Sequence, residues 1–379
     1  MDERRAAASG YGAELYRLVE EYAGLGDHRT GTAVDAATIA WFDGELTRRG
    51  ARVERHPFTF ERYVADWSIT VDGDPVAACP LYYEAVGTVS SRSPFVAEAA
   101  VLAGHRTAPS LARVLDDARA VGSSLAVVAT ANPAGLLQVP NRAPLPGDGP
   151  PTLLVPGALS PRLPWAAISA SLSAHLEPGR SENVVGHFGA SAAAPVVIGT
   201  PLSGWFGCAG ERGTGIAIAL SVAERLATSH HVVVVGTSGH ELLPHVGLAS
   251  YLSAGAPASR CVVHLGANLA VREPRPDSPS DPARPLLVNA RVEPSWAGPL
   301  GELLAPAGAM PRLDPDDWHG EARLWAAAGD YPLLSMVGGS ALFHTPEDLP
   351  AAATSPATLA RVSDAVAGAV AWLASRAAG

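Results

Sequence analysis

The sequence predicts an α/β fold: a mostly parallel, mixed sheet flanked by helices on both faces. Two observations predict it. From residue 182 onward, short continuous apolar runs ("APVVIGTP", "HVVVVGTS", "CVVHLGA", "PLLSMVGG") alternate with helical stretches such as "IAIALSVAERLAT". Strands apolar on both faces need cover on both faces, which is the pattern of βαβ architecture. The chain of 379 residues, 47% hydrophobic and 17% charged, is long enough for one large core and a second smaller one.

The elements follow in order. Residues 10–25 carry Leu15, Leu18, Val19 and Tyr22 at helical spacing, a second helix is expected over 33–49, and "RVERHPFTFERY" alternates as a strand does. Residues 1–75 read as the N-terminal part of the main domain. Residues 76–175 differ: short β runs, one helix ("SLARVLDDARAVG") and the Pro/Gly-rich loop "APLPGDGPP" describe a small α+β insert. Residues 182–379 form the main α/β domain. Ser355 is placed as an N-cap and Pro356 at the first helical position, before a stripe of Leu359, Val362, Val366, Val370 and Leu373.

Composition excludes several classes. The formal charge is −10 with no basic block, which argues against nucleic acid or an anionic membrane as partner. No run approaches 18 apolar residues, so no membrane span is expected. Cys79, Cys208 and Cys261 are odd in number and far apart, without disulfide or CxxC spacing. The start carries charges but no apolar stretch behind them, and a cytoplasmic protein is expected.

Ligands of open α/β sheets bind beyond the carboxyl ends of the strands. Read in order, those ends offer Ser203, Trp205, Cys208, Glu211 and Arg212, then His240 and Glu241, then His264 and Asn268, then His344 before "TPED". "GHELLPH" superficially suggests an HExxH zinc helix, but His240 and His245 are five apart, about 500° around a helix, with Pro244 between them. His245 is therefore expected to be a loop-packing residue. "GTSGH" misses the G-x-S-x-G nucleophile elbow at its fifth position.

"ENVVGHF", a buried strand, the glycine-rich "LSGWFGCAGERGTG", a helix, "SGHE" and "FHTPEDLP" before a final helix together resemble the double-zinc aminopeptidase family, whose relatives include glutamate carboxypeptidase, glutaminyl cyclase and the transferrin receptor. The resemblance implies an aminopeptidase/phosphorylase-like fold, with 76–175 as a protease-associated-like insert. It also implies a degenerate metal site. The family's His-x-Asp falls on Pro201-Leu202-Ser203 and a further Asp on Gly266, so those ligands are lost. The bridging Asp falls on Glu211, the Glu-Glu pair on His240-Glu241, and the last His on His344. One zinc is thus expected on Glu211, Glu241 and His344, with His264 as a replacement ligand. His240 would serve as general base, Arg212 would stabilise an oxyanion or hold a substrate carboxylate, and Trp205 and Trp318 would line a side-chain pocket. Three functions follow from the resemblance: hydrolysis of a small peptide or acyl-amide; cyclisation or acyl transfer of the glutaminyl cyclase kind; or a binding or scaffold role on a decayed fold. Oligomeric state is not legible in the sequence.

Overall fold

The computed structural model describes residues 2–103, 106–189, 194–255, 258–272 and 284–377. Helices α1 (Asp2–Gly24) and α2 (Ala33–Arg48) lead into β1 (Arg52–Val71). Strand β1 pairs antiparallel along its whole length with β2 (Ile168–Phe188), from Arg52 opposite His187 to Val71 opposite Ile168. Residues 72–167 connect the far ends of these two strands. They build a second sheet in the order 79–80, 152–155, 126–130, 95–99, packed with α3 (Pro109–Ala120) around a core that includes Leu111, Val127 and Leu153.

After β2 come β3 (Val196–Pro201), α4 (Thr214–Leu226), β4 (Val232–Thr237), α5 (Val246–Ser253) and β5 (Cys261–Leu265). Then follow β6 (Leu287–Arg291), α6 (Ala297–Leu304), β7 (Met310–Leu313), α7 (Ala322–Ala328), β8 (Leu333–Val337) and α8 (Pro356–Arg376). The main sheet has the order β7-β6-β8-β5-β3-β4-β2-β1, with short strands added at its β1–β2 end. Its centre, β4-β3-β5-β8, is parallel, while β6 runs antiparallel to β8 and β2 antiparallel to β4, so the sheet is mixed.

The buried strands read as continuous apolar runs because each face has its own core. Val184, Ile198, Val234, Val263 and Met336 face a core shared with α1, α2, α4, α6 and α8. Their neighbours Val185, Val197, Val235, Val262 and Leu333 face a second core that takes in Leu248 and Tyr251 of α5 and Trp325 of α7. This is the period of two imposed by the pleat. Ser355 caps α8, its hydroxyl accepting from the Thr358 N–H at 3.3 Å. Helix α8 has the length and apolarity to cross a membrane, yet 61% of its most apolar window is buried, against α1, α4 and α6.

Candidate active site

The carboxyl ends of β3, β4 and β5 deliver their loops to one rim. Beyond β3, Ser203 organises the neighbourhood. Its hydroxyl donates to Glu241 Oε2 (2.8 Å) and accepts from the His240 N–H (3.0 Å), and its carbonyl accepts from Arg212 Nε (2.9 Å). The chain then makes a wide turn over Ala209–Gly213 that opens α4. Asp348 of the "TPED" stretch closes that turn, accepting from the N–H groups of Gly210 (2.8 Å) and Glu211 (2.9 Å).

Glu211, Arg212 and His344 form a buried cluster, all at most 1% exposed. Glu211 Oε1 lies 3.1 Å from His344 Nε2 and 2.6 Å from Arg212 Nη2. Burial raises the Glu211 carboxyl, but Arg212 and His344 outweigh it and hold it below its ordinary value. His344 Nδ1 donates to the Val139 carbonyl at 2.7 Å, so residues of the 72–167 unit fix this imidazole. The same strand of chain reaches the next loop, the Arg142 N–H donating to the Glu241 carbonyl at 3.1 Å.

The expected Glu211–Glu241–His344 triad does not assemble. Both Glu241 oxygens are taken by protein donors, Oε1 by the Thr30 N–H (2.6 Å) and Oε2 by Ser203. Its carboxylate lines a small pocket of about 120 Å³ beside Arg29, Arg62 and Tyr82. Glu211 and His344 do meet, but the cation beside Glu211 is the Arg212 guanidinium. A fixed charge there already answers the carboxylate, as a divalent ion would otherwise do.

A different set converges. Among the described residues, the one group of three or more His, Cys, Asp or Glu side chains whose ligand atoms all lie within 4.8 Å of one another is His240, His245 and Glu321, all buried. His240 Nδ1 is 3.2 Å from Glu321 Oε1, and the two imidazoles stack with centroids 4.4 Å apart. His245 Nδ1 donates to the His240 carbonyl at 2.7 Å. The Thr237 hydroxyl lies 2.8 Å from both Glu321 oxygens. Burial drives His240 well below its ordinary value, with Arg212 and His245 adding to the effect, so the ring is neutral. Burial pushes Glu321 up to about 7, against the pull of Thr237 and Arg212.

His245 packs in a loop as expected, but its ring meets His240, an approach that helical spacing does not describe because residues 239–245 are not helical. Helix α5 starts at Val246, and His245 stands before it in left-handed conformation at φ 71°. Pro244 was the available signal: a residue that breaks a helix also removes the 100° step from the calculation. Glu321 was missed because it lies at the start of α7, beyond no strand end of the parallel centre.

His240, His245, Arg212 and His264 line one cleft of about 860 Å³, with Asn268, Arg284, His319 and Phe343. His264 is not part of the converging group. Its Nδ1 lies 3.0 Å from Ser335 Oγ, and its ring fills the space beside Gly266, where an added Cβ would stand 2.8 Å from His264 Cε1. A side chain at 266 would require Val337 and His264 to shift. Trp205 and Trp318 do not line this cleft. Trp205 is 3% exposed, donates to Asn141 Oδ1 at 2.8 Å, lies tilted against Tyr82 and lines the small pocket instead. Trp318 packs against the core of α5 and α7. Cys208 is fully buried, and burial holds its thiol well above the usual range, as expected of a structural cysteine.

Asp348 gives a pH prediction. Burial pushes its carboxyl up to about 7, against the pull of the Glu211 and Gly210 N–H groups. A raised acid favours the folded state at low pH, and that contribution is lost as pH rises through 7. In D348N it is constant. The unfolding free energy of wild type minus that of D348N is therefore expected to be largest near pH 4 and to shrink towards pH 8. Denaturant titrations at several pH values check this, and a difference that grows with pH would contradict the assignment.

The mixed sheet flanked by helices on both faces matches the fold of zinc aminopeptidase structures. The structure superposes on a peptidase M28 precursor from Shewanella amazonensis over 98% of this chain and 97% of that one, with a TM-score of 0.72 and 17% identity. BSAP, a zinc aminopeptidase from Bacillus subtilis, matches over 95% and 94% (TM-score 0.72, 14% identity), and an aminopeptidase from Aneurinibacillus sp. strain AM-1 over 95% and 93% (0.62, 15%). At such identities the likeness is one of fold. No family model matches the sequence, and a search of curated proteins finds no match.

Proposed function

We propose that the protein is a metal-dependent hydrolase of peptide or acyl-amide bonds, with one zinc ion held by His240, His245 and Glu321. The convergence of these three donors within 4.8 Å carries the reading. Two imidazoles and one carboxylate are a donor set of catalytic zinc sites, which keep a fourth position open. The surroundings fit as well. The Nδ1–H of His245 is spent on a backbone carbonyl and Glu321 is held by Thr237, the outer contacts that orient metal ligands. Zinc bound there would supply Lewis acidity to a substrate carbonyl. In this reading His240 is a ligand and not the general base, and Arg212 and His264 position the substrate in the cleft. The Glu211–Arg212–His344 cluster is a built-in substitute for the metal expected at that place.

The test is metal analysis of purified protein. About one zinc per chain is expected, lost in H245A and in E321Q but retained in E241Q and H344N, with peptidase or amidase activity following the same pattern. Folded protein that takes up no zinc would overturn the reading in favour of a binding protein on this fold. Retention of zinc in H245A with loss in E241Q would return the site to the other set.

A further inference from the structure

We infer that the cleft recognises its ligand by a free carboxylate next to an amide N–H, as in an N-acyl amino acid or the last residue of a peptide, with Arg212 as the anchor. This deepens the hydrolase reading and rests on it for the claim that the ligand is a substrate. Three side chains that line the cleft are only 1% exposed, yet each keeps a polar atom with no hydrogen-bond partner. Arg212 is fixed by Nε on the Ser203 carbonyl, and its Nη2 touches Glu211, but neither terminal nitrogen makes a hydrogen bond. His264 has Nδ1 at Ser335 and nothing on Nε2. Asn268 donates from Nδ2 to the Gly338 carbonyl at 3.4 Å and leaves Oδ1 unmatched.

Buried polar atoms are rarely left unpaired, and four on three side chains around one cleft mark the place of a ligand. Their chemistry specifies it. A guanidinium fork is matched by a planar anion, and carboxylate is the match that also fits an amide-hydrolysing site. The acceptor on Asn268 asks for an N–H. Leu243, Val337 and Phe343 line the same cleft and suit an apolar side chain. Arg323 is paired with Asp317 at 3.1 Å and Arg212 touches Glu211, so Arg284 is the further positive charge that the cleft lining adds for an anion.

The experiment is calorimetric titration of EDTA-treated protein with N-acetyl-leucine and with N-acetyl-leucinamide, which differ in the carboxylate alone. The acid is expected to bind about tenfold more tightly or better. The preference should vanish in E211Q/R212M, which removes both members of the buried pair, and should shrink strongly in R212K, which keeps the charge but not the fork. Equal binding of acid and amide, no binding of either by folded wild type, or an unchanged preference in a folded variant would each overturn the inference. The metal-free format separates this outcome from that of the zinc measurement.

Discussion

Replacing Arg212 with methionine is expected to lower the unfolding free energy by about 3–5 kcal/mol, the range for a buried ion pair deprived of one partner. Glu211 and Arg212 are both at most 1% exposed and lie 2.6 Å apart. With the guanidinium gone, Glu211 would keep the His344 contact at 3.1 Å, while its desolvation would remain. The double variant E211Q/R212M should recover most of the loss, because replacing both members of a buried pair is often close to neutral. Guanidinium-induced unfolding of the wild type, both single variants and the double variant measures the coupling. A loss below about 1 kcal/mol in R212M would mean that the pair does not hold this turn.

The G247A variant should be nearly as damaging, and it should cost the site its metal. A Cβ on Gly247 would stand 1.9 Å from the Ser238 carbonyl oxygen and 2.8 Å from Asn183 Oδ1. The first of these is backbone, so rotation of a side chain cannot relieve the contact. The start of α5 must move away from the end of β4, and that displaces His245, two residues earlier, from His240. We expect about 3 kcal/mol of destabilisation, at the upper end for overpacking, together with loss of zinc retention. G298A is the control, because a Cβ there has nothing within 4 Å and Gly298 lies in helix α6. It should be neutral or slightly stabilising. Wild-type stability and zinc content in G247A would show that the α5 junction is not rigidly tied to the site.

The sheet was legible because its signal is local. Runs such as Val196–Ile198 and Val232–Val235 are apolar at every position, as strands covered on both faces are. The stripe of α8 and its Ser355 cap were legible for the same reason: each depends on neighbours within a few residues in sequence. The site was partly legible. His240, Arg212 and His264 do line the cleft, as expected of residues at strand ends. Glu241 also sits at a strand end, but its carboxylate lies among Thr30 and Ser203, far away in sequence.

By itself, then, the sequence determined the α/β class and where the central strands lie along the chain, since hydrophobic periodicity settles both. Only the tertiary structure decided which donors meet. Whether Glu211 faces an ion or Arg212, and whether His245 turns back onto His240, depends on side-chain directions in non-helical loops. Those directions are set by contacts with α1, α2, α7 and the 139–142 segment of the insert, which no spacing along the chain encodes.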